Sequence, residues 1–143
     1  MTREPRTITS LTNERVKAIR ALGMRKERRE TGLFVAEGAS IVVSARDAGF
    51  TPETLVVRAG AAAGSSGIPR SLIEWALGAG AEVLAVSEPV LEKLASKDNP
   101  QAMLGVFRQR WAEPPEPAAV AKEAVWLVLE EVRDPGNLGT IVR

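Results

Sequence analysis

An amide and a guanidinium, Asn137 and Arg143, stand near the end of the sequence in the run DPGNLGTIVR, and the residues around them read as the frame of a site. Val125 to Leu129 is a short, unbroken apolar run with β-branched residues, the pattern of a strand buried on both faces of a parallel sheet. Asp134, Pro135 and Gly136 supply a tight turn after it. Asn137 then falls where a helix begins, its side chain placed to cap the N–H of Gly139 or Thr140, and Gly139 admits close approach of a backbone or ligand. Leu138, Ile141 and Val142 give that helix an apolar face. Arg143 follows about a turn and a half beyond Asn137, expected on roughly the same side. Open α/β sheets bind ligands at the carboxyl ends of their strands, which is where both polar groups would meet. A plain strand, turn and helix start with a capping Asn accounts for the same residues without any chemistry.

Composition narrows what that chemistry can be. The chain has no Cys and no His, which excludes disulfide frameworks, Cys/His zinc sites, redox dithiols and catalysis by imidazole or thiolate. With no Tyr, 3 Phe and 3 Trp, it lacks the aromatic sheet on which RRM-type domains stack bases. No stretch approaches membrane-spanning length, and MTREPRTITS lacks the apolar core of a signal peptide, so the cytoplasm is the expected location.

The net charge of +1 hides an asymmetry. Residues 1–29 hold nine Lys or Arg against three Glu, a balance of +6, so the rest of the chain sums to −5. Such a bias at one end points to a polyanionic partner.

The elements that would carry these groups follow in order. Residues 13–30 read as a helix capped by Asn13, with Val16, Ile19 and Leu22 at helical spacing and a break expected near Gly23. Seven bases (Arg15, Lys17, Arg20, Arg25, Lys26, Arg28, Arg29) face three acids there, more than solubility requires, although a solvated amphipathic helix is the plain alternative. Leu33 to Ala36 is a short apolar run. Residues 39–48 read as helix on length, against the strand preference of Ile41, Val42 and Val43, with Gly49 as its stop. Leu55–Arg58, Val83–Val86 and Met103–Phe107 read as strands. Between them, Pro69 opens a helix with Leu72, Ile73, Ala76 and Leu77 on one face, and Ser87 caps another that carries Val90, Leu91 and Leu94. Residues 60–67, GAAAGSSG, read as a flexible loop; no Lys-Ser or Lys-Thr follows to complete a phosphate-binding loop.

Strands about twenty residues apart with helices between them predict a largely parallel sheet with helices on both faces. That domain spans residues 1–108. Residues 109–122, with Pro114, Pro115 and Pro117, have the composition of an extended linker. A second domain starts at 123, and its residues are too few to bury a core of their own.

The run DPGNLGTIVR resembles the first signature motif of the SpoU (TrmH-like) group of RNA ribose methyltransferases in the SPOUT superfamily. The order Asn13, Lys17, Arg25, Lys26, Arg28 followed by GLFVAEG resembles the start of the substrate-binding domain that precedes the catalytic domain in that group. Glu37 matches the family's EG pair, and a carboxylate near a helix amino terminus explains it equally well. The resemblance implies a three-layer α/β/α substrate-binding domain followed by the beginning of a knotted α/β SPOUT domain. Asn137 and Arg143 would then lie where the target ribose meets the methyl donor. Asn13, Lys17, Arg20, Arg25, Lys26, Arg28, Arg29 and Glu37 would contact RNA, ribosomal RNA first and transfer RNA second. The cofactor implied is S-adenosyl-L-methionine, held by residues beyond 143, and full-length relatives dimerise through that same region. The chain is therefore expected to be the amino-terminal part of a longer enzyme, inactive by itself.

For Arg143 a stabilising or phosphate-holding role fits better than that of a base, since a guanidinium does not readily give up its proton. Two other readings stay open at this point: a non-catalytic RNA-binding module, and a nucleotide-binding domain with the Asn137 turn at a phosphate. No metal site is expected.

Overall fold

The computed structural model describes residues 4–61, 68–96 and 103–143. The chain divides into two units, residues 1–110 and 111–143. Among the described residues the first unit forms five strands, β1 (Arg6–Ile8), β2 (Leu33–Glu37), β3 (Pro52–Arg58), β4 (Glu82–Val86) and β5 (Met103–Arg108), hydrogen-bonded in the order β1-β4-β3-β5-β2. β1 runs parallel to β4 and β4 to β3, whereas β5 lies antiparallel to both β3 and β2. The expected largely parallel sheet is thus corrected to a mixed one. A central strand buried on both faces shows the same apolar run whichever way its neighbours point, so strand direction is not written in periodicity.

The three layers form because side chains alternate across the sheet. Helices α1 (Glu14–Ala21) and α5 (Glu88–Leu94) supply Val16, Ile19, Val90 and Leu91 to a core that takes Val56, Leu84, Val86, Leu104 and Val106 from the strands. On the other face α3 (Ala39–Asp47) and α4 (Ile68–Gly78) bring Val42, Leu72, Ile73 and Ala76 against Leu55, Val57, Val83 and Phe107. Each fully buried Val, Leu or Ile is worth about 1.5–3 kcal/mol relative to exposure, so the paired cores dominate the favourable side of folding. The expected α/β/α sandwich is the structure of this unit.

Local details explain how the chain enters these elements. Asn13 Oδ1 accepts from the N–H of Arg15 at 2.9 Å, so the expected cap on α1 is made. The predicted break at Gly23 separates α1 from α2 (Arg25–Thr31), which lies against the edge strand β2. Gly38 precedes α3 with φ 111°, a conformation that L side chains resist, while its N–H donates to Met103 O at 2.9 Å. Ser87 occupies the cap position of α5, but its side chain makes no capping bond there. An irregularity in register between Pro52 and Thr54 admits an extra residue opposite β5.

On β5 the ring of Phe107 folds back over Gly105: a Cβ on that glycine would lie 2.4 Å from Phe107 Cε2. Phe34 and Phe50 flank the same ring at centroid distances of 6.0 and 6.3 Å, the second edge-on.

The second unit is mostly exposed. Among its described residues only a 3-10 turn (Pro117–Ala119) and α6 (Pro135–Val142) are regular. The expected strand Val125–Leu129 is not formed, and Val125 and Val128 are 95% and 87% exposed. A strand needs neighbouring chain for its N–H and C=O groups, and no residue of this unit pairs with that run. Of the loop expected over 60–67, residues 62–67 lie outside the described residues, whereas Ala61 closes a turn by donating to Arg58 O at 3.0 Å.

Candidate nucleic-acid interface

The bases of α1 and α2 divide by what they touch. Arg15 bonds to Glu82 through Nε at 2.8 Å and through Nη2. Lys17 pairs with Glu14 at 2.7 Å and Lys26 with Glu30 at 3.8 Å, both within helical reach and exposed. Arg28 is different: its Nη1 donates to the carbonyls of Leu22 and Gly23 at 2.9 and 2.8 Å, tying α2 back onto the end of α1. Those carbonyls lack helical partners at the break, so Arg28 satisfies groups that the break itself creates. Arg20, Arg25 and Arg29 are exposed and form no ion pair among the described residues. Of the eight residues expected to contact RNA, these three leave their charge fully available.

Beside this elbow runs a groove of about 570 Å³, bounded by α1, α2, β2 and the end of α5. Arg20, Arg28 and Lys93 line it together with the apolar side chains of Ile19, Leu22, Val35 and Leu94. Its carboxylate is Glu37, whose Oε2 accepts from the N–H and the hydroxyl of Ser96 at 3.0 and 2.6 Å. Glu37 therefore holds β2 to the chain leaving α5, rather than capping α3. The volume falls in the range of small-ligand pockets, and three cations beside a mixed polar and apolar lining suit a sugar and phosphate.

Lys93 had no place among the expected site residues. The spacing of Val90, Leu91 and Leu94 shows only that it is off the core face of α5. Its neighbourhood with Arg20, far back in the chain, is created by the packing of α1 on α5.

Asn137 and Arg143 are placed differently from expectation. The cap of α6 is Asp134, whose Oδ1 accepts from Gly136 N at 3.0 Å, with Pro135 in the first turn. Asp134 and Pro135 are a stronger start signal than Asn137, because Pro is preorganised for the first helical position. Asn137 thus lies inside the helix and Arg143 at its end, both exposed. At about 100° per residue, six positions carry Arg143 some 240° round the axis from Asn137, so the expectation of a shared side is corrected. Neither makes a side-chain hydrogen bond or ion pair with a described residue.

Among the described residues there is no cluster of metal-ligating groups and no helix long and apolar enough to cross a membrane.

Residues 13–105 match the protein family described as MRM3-like substrate binding domain. The chain is 30% identical over 137 residues to the 23S rRNA (guanosine(2553)-2′-O)-methyltransferase RlmP of Bacillus subtilis, covering 95% of this chain and 48% of that protein. A solved RNA 2′-O ribose methyltransferase superposes with TM-score 0.70 at 32% identity, over 95% of this chain and 50% of that one. The AdoMet-bound rRNA methyltransferase of Sinorhizobium meliloti superposes with TM-score 0.64 at 37% identity, over 75% of this chain and 38% of its own. This chain spans about half the length of the curated relatives it matches.

Proposed function

Since this chain belongs to the MRM3-like substrate binding domain family, we propose that it is the RNA-binding portion, with the first catalytic motif, of an S-adenosylmethionine-dependent RNA ribose 2′-O-methyltransferase acting on ribosomal RNA. The observation that carries this reading is the accessible charge of Arg20, Arg25 and Arg29 beside a cationic groove, within the stretch that matches the family. Lys17 and Lys26, each engaged only in an exposed ion pair, add to that surface, because such pairs exchange readily for phosphate. Asn13, Arg28 and Glu37 act chiefly by shaping it, through the cap, the elbow and the bond to Ser96.

In this reading residues 109–122 are a linker and 123–143 open the catalytic domain, where Val125–Leu129 becomes a strand once further chain pairs with it. Asn137 orients the ribose hydroxyl, and Arg143 stabilises negative charge developing on its oxygen or holds a neighbouring phosphate. Dimerisation through the catalytic domain and residence in the cytoplasm belong to the same reading.

The methyl donor does not fit the residues present. Its sulfonium and ammonium outweigh its single carboxylate and leave it a net cation, whereas the groove sets Arg20, Arg28 and Lys93 against one carboxylate that already accepts twice from Ser96. The groove is therefore not the site of the methyl donor. A non-catalytic RNA-binding module is the second reading, favoured by the fact that the groove and its bases need nothing from residues 111–143.

The test is methyl transfer in a chain extended through the catalytic domain. Arg143→Ala abolishes transfer while RNA stays bound; turnover near the unmodified level would refute the site at Arg143 and leave RNA binding intact.

A further inference from the structure

The groove beside the α1–α2 elbow has features that a generally basic surface would not need. Two of its three cations, Arg20 and Lys93, come from different helices, and neither has a carboxylate partner among the described residues. Arg28 spends one amino nitrogen fixing the elbow, which sets the direction in which α2 leaves α1. Between the cations the lining is mixed: the half-buried Val35 offers apolar surface to a ribose or base, while Ile19 and Leu94 are core side chains that reach the groove only at their edges. We propose that this groove seats the sugar-phosphate backbone of an unpaired RNA segment, with Arg20 and Lys93 each holding a phosphate. The proposal rests on the RNA-binding reading above and adds to it the strand form bound and a residue, Lys93, outside the basic amino-terminal segment.

Size and chemistry select the unpaired form. A volume of about 570 Å³ takes a nucleotide or little more, so a base-paired helix can touch only its rim. Unpaired nucleotides expose ribose and base as well as phosphate, matching a lining that is both apolar and cationic.

The experiment titrates the whole 143-residue chain with a labelled oligouridylate dodecamer at several salt concentrations, with melting curves as a folding control. Arg20→Ala and Lys93→Ala are each expected to flatten the dependence of log K on log salt by about 0.7, the loss of one single-strand phosphate contact. Arg70→Ala removes the same charge from α4 on the opposite face and is expected to leave the slope unchanged. If Lys93→Ala melts early, Lys93→Gln replaces it and keeps most of the stem. A blunt duplex of the same length competes poorly, and uridine monophosphate at equal nucleotide concentration does not displace the dodecamer. An unchanged slope in the Lys93 variant, an equal loss in Arg70→Ala, or displacement by the mononucleotide overturns the groove assignment while a steep unmodified slope keeps the RNA reading. Absence of salt-dependent binding by the unmodified chain overturns both.

Discussion

The carboxylate of Glu37 at the end of β2 accepts from both the backbone N–H and the hydroxyl of Ser96, joining an edge strand to the chain that leaves α5. Both elements border the groove, so the bond fixes one of its ends. Glu37→Ala leaves both donors of Ser96 without this acceptor and is expected to cost about 1–2 kcal/mol. Glu37→Gln keeps a carbonyl acceptor and is expected to cost less. Thermal unfolding of the two variants checks the ordering; equal losses would mean that the bond contributes nothing specific.

Phe107 and Gly105 depend on each other. Gly105→Ala drives a Cβ into the Phe107 ring and is expected to destabilise by about 1–3 kcal/mol, the usual cost of overpacking a core. Phe107→Leu removes the obstructing ring atoms, so the two losses should fall short of their sum in the double variant. Denaturant unfolding of the four-member cycle measures this, and strict additivity would contradict the contact.

Removal of residues 123–143 is expected to raise solubility and leave cooperative unfolding of the first unit intact. The exposed side chains of Val125, Trp126, Leu127 and Val128 go with it, and both cores lie before residue 111. A broad, non-cooperative transition after the deletion would show that the first unit depends on the second.

Calorimetry with S-adenosylmethionine is expected to give no saturable binding to this chain at micromolar concentration, given the cationic lining of the groove. Saturable heat in that range would place a donor pocket within residues 1–143.

Much of the first unit is legible in the sequence because its signals are local. Asn13, Gly23 and Gly49 mark helix ends, and the runs at Leu55–Arg58 and Val83–Val86 read as strands on their shortness and β-branching. The three-residue β1 has no such run; Ile8 is its one buried side chain, and backbone pairing with β4 makes the rest. Strand direction is decided by tertiary pairing, which is why β5 turned out antiparallel. The part played by Arg28 is hidden for the same reason: a base in a basic run reads as a contact for a polyanion, yet its partners are carbonyls exposed by the helix break. Val125–Leu129 shows the opposite failure. Its strand signal is plain, but no strand forms without chain to pair with, and Asp134 took the cap expected of Asn137.

The proposed function depends most on contact between the basic face of α1 and α2 and RNA phosphates. Arg25, Lys26 and Arg29 test it best, because all three are exposed and none holds the elbow as Arg28 does. The measurement is the affinity of the full chain for single-stranded RNA as a function of salt. The unmodified chain is expected to give a slope of log K against log salt of roughly −3, and the Arg25→Ala, Lys26→Ala, Arg29→Ala triple variant a slope flatter by about 2, with little change in melting temperature. A triple variant whose slope matches that of the unmodified chain would return this face to a solvated surface and contradict the proposed RNA contact.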